Sequence, residues 1–411
     1  MERRRLAARW VIPVAGPPVE RGALLIGADG RIEAVGADPA VPRPHDVPTV
    51  ELGNAAILPG LVNTHTHLEL TGFEGEVAAG DFASWIRRLR ELKTTRTPDD
   101  YLSAARRGLE DCFAAGITTV ADTGDSGSVI RALAEAGGSG IAYQEVFGPH
   151  PDQAAESLAG LQARVRRLRS LASGRARLGV SPHAPYTVSG ALYTAVAGWA
   201  RAEGLPLAVH IAESAAETQL LRAGSGSFAD AWAARGIPLP TAANRSPIDW
   251  LAEHGVLTDQ TLCIHAVQIS PGDIRRMAQS GVAVAHCPLS NRAHGHGSAP
   301  LAALLAAGIR VGLGTDSVVS VGRLDLMAEA RAAQKLAALG ADEAIELCTL
   351  GGARALGMES EIGSLHPGKW ADLTVVQLSS SSAAPAEQVL SSSTPDVLLT
   401  YLGGREVYRS S

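Results

Sequence analysis

Leu58-Pro59-Gly60-Leu61-Val62-Asn63-Thr64-His65-Thr66-His67-Leu68-Glu69 is an apolar run that ends in His-Thr-His. On a strand, side chains two positions apart leave the same face, so His65 and His67 aim at one point. Two imidazoles on one rigid strand make half of a metal site. The competing reading is two histidines that alternate by chance in a half-exposed strand. A bare His-x-His does not decide between them. The residues further along the chain do.

Downstream, short apolar strands alternate with amphipathic helical patterns. Strands end near His67, Asp122, Glu145, Pro182, His210, His265, His286 and Asp316. Helical patterns over 129–136, 152–171, Gly190–Glu203 and 271–279 lie between them. Eight strand–helix units predict a (β/α)8 TIM-like barrel, whose active site gathers at the strand ends. Both termini are instead β-rich. Strands are expected at 10–14, 23–26 and 31–35, the last two joined by a Gly27-Ala28-Asp29-Gly30 turn. Others are expected at 371–376, 397–402 and 405–408, the last two joined by a Gly403-Gly404 turn. The expected organisation is a small β-sandwich built from residues 1–56 and 365–411 beside a barrel over 57–364. The Ser-, Ala- and Pro-rich stretch 379–393 is expected as an exposed, mobile loop. Helix 325–338 reads as a barrel helix with Arg331 and Lys335 on its solvated face.

A chain of 411 residues that is 46% hydrophobic accommodates this organisation. The net charge of -6, with no basic block, argues against a nucleic-acid partner. No apolar run reaches about 18 residues, so no membrane span is predicted. Cys112, Cys263, Cys287 and Cys348 form no CxxC pair and read as reduced, buried thiols of a cytoplasmic protein. The opening Met1-Glu2-Arg3-Arg4-Arg5 reads as the start of a strand, because Arg9, Pro13 and Pro17 interrupt any signal-type apolar segment.

The strand ends supply a constellation. His65 and His67 come from the first strand, His210 and Glu213 from the fifth, His265 from the sixth and Asp316 from the eighth. Imidazoles with a carboxylate suit Zn²⁺, Fe²⁺ or another first-row divalent ion, with a position left for water. Taken singly, Asp316 could be a helix cap and each histidine a satisfied core residue.

His65-Thr66-His67, His210-Ile211-Ala212-Glu213, His265 and Gly314-Thr315-Asp316-Ser317 together resemble the amidohydrolase superfamily. More narrowly, they resemble its chlorohydrolase and aminohydrolase branch, which includes adenosylhomocysteine, guanine and aminodeoxyfutalosine deaminases. Gly363-Ser364-Leu365-His366-Pro367-Gly368-Lys369-Trp370-Ala371-Asp372-Leu373 is similar to that family's re-entry into its β domain. The resemblance implies one metal held by His65, His67, His210 and Asp316. It implies Glu213 as the proton shuttle and His265 as the group that orients the attacking water, with Asp316 also counted among the catalytic residues. Ser181-Pro182-His183 stands where dinuclear relatives carry a bridging lysine carbamate. The implied reaction is hydrolytic deamination of a heterocyclic amine, foremost a 6-aminopurine nucleoside derivative such as aminodeoxyfutalosine. Rival substrates are adenosylhomocysteine, methylthioadenosine, guanine, pterins and chlorotriazines. A metal-free scaffold of the same fold is the rival from another class. The expected partner is a small-molecule substrate, with no nucleic acid or membrane surface, and a homodimer is the candidate assembly.

Substrate contacts are expected from several further residues. His183 resembles the family histidine that touches the ring or sugar. Glu69 shares a face with His67; it binds a substrate amino or hydroxyl group, or it orients a ligand histidine. Phe82 and Trp85 resemble a lid helix over the base, and plain core packing explains them equally well. The loop holding Arg292, His294 and His296, together with Arg323, is expected to meet a substrate anion, or else to be a solvated loop. His45, His150, His254 and His366 read as surface or structural groups.

Overall fold

The structure is a computed structural model that describes residues 2–77, 81–240, 244–379, 382–392 and 396–410. Its centre is a set of eight parallel strands: β6 Leu61–Thr66, β7 Ile117–Gly124, β8 Ser139–Val146, β9 Ala176–Pro182, β10 Leu207–Ile211, β11 Thr261–His265, β12 Ala283–His286 and β13 Arg310–Leu313. These pair in sequence order. Thr66 bridges Asp316, and the His65 carbonyl accepts from the amides of Thr315 at 3.1 Å and Asp316 at 3.0 Å, which joins the last strand to the first. The eight expected strands and the expected TIM-like barrel are present.

Eight further strands form one sheet from both chain ends. They are β1 Arg4–Val11, β2 Val19–Ile26, β3 Ile32–Ala37, β4 Thr49–Glu51, β5 Ala55–Pro59, β14 Leu373–Gln377, β15 Val397–Leu402 and β16 Arg405–Arg409. The order is β16-β15-β14-β5-β1-β2-β3, with β4 paired to β1. The first strand runs over Arg4–Val11, beginning in the opening stretch expected to start a strand and ending before the expected 10–14 is complete; Pro13, which has no amide hydrogen, follows its end.

The apolar run before His65 is two strands in two sheets. In β5, Ala55 and Ile57 pack into the terminal sheet's core. Ala56 and Leu58 pack toward the barrel. The period of two makes β5 a shared wall. Gly60 then turns the chain into β6, and a Cβ there would lie 2.1 Å from Thr118 Oγ1.

Two expectations fail together. Of the stretch 379–393, residues 380, 381 and 393 lie outside the described residues, and 382–392 is not simply an exposed loop. Pro385 opens a helix, Pro385–Leu390, whose Ala386, Val389 and Leu390 at spacing three and four are buried on the barrel core. Arg331 is not simply solvated either: its Nη1 donates to the carbonyls of Leu390 at 2.9 Å and Ser392 at 2.6 Å. The composition was loop-like, but a short apolar stripe suffices to dock one turn and a half. Leu390→Ala is expected to lower unfolding stability by about 2–5 kcal/mol with kcat unchanged. Unchanged denaturation would show that this helix contributes nothing.

All four cysteines are buried and free. Among the described residues, no helix is long and apolar enough to cross a membrane.

Candidate active site

The barrel's C-terminal strand ends bring five expected groups together. His65, His210 and His265 offer ring nitrogens within 4.8 Å of one another, and so do His65 and His67 with a carboxylate oxygen of Asp316. Nε2 of His65 and Nε2 of His67 each lie 3.6 Å from Asp316 Oδ1. The geometry does not separate His265 from the other three histidines.

Outer partners set the direction of the lone pairs. His67 Nδ1 faces the Thr123 carbonyl at 2.8 Å. His210 Nδ1 faces the His183 carbonyl at 3.2 Å. His265 Nδ1 faces Asn291 Oδ1 at 3.0 Å. A ring that donates from Nδ1 presents Nε2 as a ligand. Both nitrogens of His65 are buried without a protein hydrogen-bond partner. Burial lowers the His65 pKa to about 4 and holds His67 and His210 below the usual imidazole range. Neutral imidazoles are the metal-binding form. Burial opposes ionisation of Asp316, but the imidazoles of His65, His67 and His265 close to it hold its carboxyl well below the ordinary value. This donor set fits a divalent metal ion.

The backbone is strained at these strand ends. Ala212 has φ +52°, His265 +74°, Ala266 +48° and Asp316 +59°. Left-handed non-glycine residues persist only where the surroundings hold them. Asp316 is held by Ser290 Oγ at 2.5 Å and by the Ser317 amide at 2.6 Å. The turn after β10 is held by Glu217, fully buried, whose Oε1 accepts from the Ala212 amide at 2.7 Å and Oε2 from the Glu213 amide at 3.1 Å. Burial pushes Glu217 up to about 8 despite these donors. In Glu217→Gln one amide hydrogen would face a side-chain NH₂. We expect kcat to fall about tenfold with little change in KM, because the turn carries Glu213. An unaltered kcat would remove Glu217 from the positioning of this turn.

Glu213 stands beside the cluster. Its Oε1 lies 3.6 Å from His265 Nε2 and 3.4 Å from His296 Nε2. Its Oε2 accepts from the Tyr186 hydroxyl at 3.2 Å. Burial works to raise its pKa, but the charge of His265 and the hydrogen bond to His296 bring it down to about 2. Glu213 is therefore an ionised carboxylate at neutral pH.

His67, His210, Glu213, His265 and Asp316 line the base of a cleft, with His65 buried beneath them. His183 lines it with Nδ1 tied to Thr187 Oγ1 at 2.8 Å, and burial lowers its pKa to about 3. Trp85 and Phe82 line it from the helix Phe82–Lys93. His294 lines it too, its ring 4.6 Å from that of Trp85 and its Nε2 3.0 Å from Ser320 Oγ. His296 is buried behind Glu213, its ring 4.5 Å from that of Phe82.

Three expected substrate residues lie elsewhere. Ser290 and Asn291 turn inward on the helix Pro288–Ala293, so Arg292, the next residue round, is exposed outside the cleft. Arg323 follows a turn at Gly322 and is 67% exposed, 3.4 Å from Asp325. Glu69 is buried outside the cleft. It takes Lys93 Nζ at 2.9 Å and also accepts from Ser126 Oγ. Burial raises the Glu69 pKa, but Lys93 and Ser126 win and bring it to about 2. It neither orients a ligand histidine nor faces the cleft.

Other cleft residues went unnoticed in the sequence. Glu145, at the end of β8, lies 4.0 Å from His183 Nε2, and burial pushes it up to about 8. Its place at a barrel strand end was the available signal. Tyr186 sits in the same loop as His183. Ile86, Leu89, Arg90 and Lys93 extend the Phe82 and Trp85 face by helical spacing.

Comparison with known proteins agrees with this architecture. The chain is 32% identical over 417 residues to a 5-methylthioadenosine/S-adenosylhomocysteine deaminase of Desulforudis audaxviator, covering 97% of this chain and 92% of that protein. It is 33% identical over 328 residues to an aminodeoxyfutalosine deaminase of Deinococcus radiodurans, covering 77% and 76%. The fold superposes on an adenosine deaminase from Xanthomonas campestris with bound zinc at a TM-score of 0.86 and 26% identity, covering 98% and 92%. The amidohydrolase family model matches residues 56–407, and the chain belongs to the amidohydrolase family.

Proposed function

We propose that this protein is a zinc-dependent aminohydrolase that removes the exocyclic amine of a 6-aminopurine nucleoside derivative. In this reading His65, His67, His210 and Asp316 hold one ion. A divalent ion there supplies the Lewis acidity that makes water a nucleophile at neutral pH. His265, its Nε2 3.6 Å from Glu213 Oε1, orients the attacking water beside that carboxylate. Glu213 takes the proton of that water and delivers it to the ring nitrogen beside the carbon under attack. Glu213 then carries the remaining hydroxyl proton of the adduct to the amine; the C–N bond breaks as the carbonyl forms, so that water and aminopurine become ammonia and oxopurine. His183, neutral and with Nε2 free of Thr187, contacts the ring or sugar. Phe82 and Trp85 cover the base.

The observation that carries this reading is Glu213, which accepts from the Tyr186 hydroxyl and lies 3.4 Å from His296 Nε2, beside a buried His/Asp cluster at the base of a cleft walled by Phe82, Trp85 and His183. The relatives named for methylthioadenosine, adenosylhomocysteine and aminodeoxyfutalosine support a nucleoside with a 5′ extension as substrate. The test is ammonia release by zinc-loaded protein across adenine nucleosides, guanine, cytosine and pterins. Turnover should be highest for a 5′-extended adenine nucleoside. A best substrate among the free bases or pterins would overturn the assignment.

A further inference from the structure

The helix Phe82–Lys93 turns one face to the cleft, with Phe82, Trp85, Ile86, Leu89, Arg90 and Lys93 at helical spacing. Four of these are apolar. Lys93 is committed, its Nζ 2.9 Å from Glu69 Oε1 and 2.6 Å from Asp125 Oδ1. Arg90 is exposed, and among the described residues no carboxylate lies within ion-pair distance of it. Of its neighbours on the helix, Arg88 pairs with Glu91 at 3.2 Å, and Arg87, which does not line the inner cleft, donates to Ser84 Oγ at 3.0 Å.

Arg90 also stands at a junction. The inner cleft opens into a wider outer one, and Ile86, Arg90, Phe147, Tyr186 and Thr187 line both. Phe147 is 37% exposed there. The acids of the outer cleft are Asp81, which accepts from the Ser84 amide, Glu91, which pairs with Arg88, and Asp230; Arg87 and Arg235 add two further cations, but of the three only Arg90 also lines the inner cleft. The carboxylates of the inner cleft, Glu145, Glu213 and Asp316, are buried at its base. A purine whose amine reaches Glu213 therefore sends its sugar and 5′ substituent outward, past Arg90.

Resting on the nucleoside-deaminase reading, we propose that Arg90 determines specificity by pairing its guanidinium with a carboxylate at the end of the substrate's 5′ substituent, which lies in the outer cleft. A planar guanidinium fork matches a carboxylate through two parallel hydrogen bonds. The position explains why a charged residue, with no carboxylate partner among the described residues, interrupts an apolar stripe. It also moves anion recognition from Arg292 and Arg323, which do not line the cleft, to the helix over it.

The test compares two adenine nucleosides on the zinc-loaded enzyme: 5′-methylthioadenosine and its analogue with a carboxyethylthio group at the same position. For each, kcat/KM is measured in the wild type, Arg90→Gln and Arg90→Glu. The preference for the carboxylate substrate should drop about tenfold to a hundredfold in Arg90→Gln and further in Arg90→Glu. The wild-type preference should shrink with added salt, since the pair is solvent-exposed, whereas that of Arg90→Gln should not. Equal losses on both substrates, or an unchanged preference, would overturn the role of Arg90 while the deaminase reading stands. If the wild type released ammonia from neither nucleoside, both would fall together.

Discussion

Glu213→Gln should keep the metal and the fold while turnover drops about 10²- to 10⁴-fold. Gln has the same shape, so the Tyr186 hydroxyl can still donate to its oxygen. The contact with His296 and the turn held by Glu217 need no charge on Glu213 to persist. What is lost is a group able to take and return a proton. The wild-type carboxylate is ionised down to about 2, because His265 and His296 outweigh burial. Its protonation therefore should not limit the rate at mildly acidic pH. Any acidic limb of kcat/KM above about pH 5 belongs to another group. Metal content, thermal unfolding and single-turnover ammonia release on one preparation would check this. Near-normal turnover with full metal content would take Glu213 out of the chemistry.

The parts of this protein legible in its sequence are those written in short-range periodicity. Each barrel strand is an apolar stretch followed at once by its polar end residue, so His67, His210, His265 and Asp316 could be placed at strand ends without knowing which strand met which. The barrel then did the assembly, because parallel strands bring all their C-terminal ends to one rim. The residues that escaped depend on long-range approach or on the rotation of a helix. Tyr186 reaches Glu213 across 27 positions. Lys93 reaches Glu69 across 24 and takes it away from the cleft. No local pattern encodes either pairing.

Loop adjacency misled for the same reason. Arg292, His294 and His296 share one polar stretch, yet only Arg292 is on the helix Pro288–Ala293, and the two histidines follow its end in different directions. His294 enters the cleft, His296 backs Glu213, and Arg292 faces solvent. Stretch 379–393 looked mobile by composition. Its helix is docked by three small or medium apolar side chains and by Arg331, a contact spanning about sixty positions. Composition counts residues and cannot count that contact.

His67→Ala should cost metal and activity together. The ring reaches 3.6 Å from Asp316 Oδ1 through Nε2, while Nδ1 is tied to Thr123. Its removal takes one ligand from the set and leaves the outer partner unpaired. Loss of an outer partner alone typically weakens a metal site 10- to 100-fold, so loss of the ligand itself should exceed about a hundredfold. The stability of the chain reports the same event independently. A ligand that binds only the folded state adds about 4 kcal/mol at a thousand times its dissociation constant. Zinc should therefore raise the melting temperature of stripped wild type and fail to raise that of His67→Ala at the same concentration. The pH dependence gives a third view. Metal competes with protons for imidazole, and burial holds the His65 pKa near 4. Occupancy should be flat from neutral pH down to about 5 and be lost as pH falls through about 4, where the unliganded ring gains its proton. A wild type that bound about one ion per chain, and a His67→Ala protein that bound it equally well with an equal thermal shift, would place the ion somewhere other than this cluster. The reading of Glu213 beside it would then have to be rebuilt around that other site.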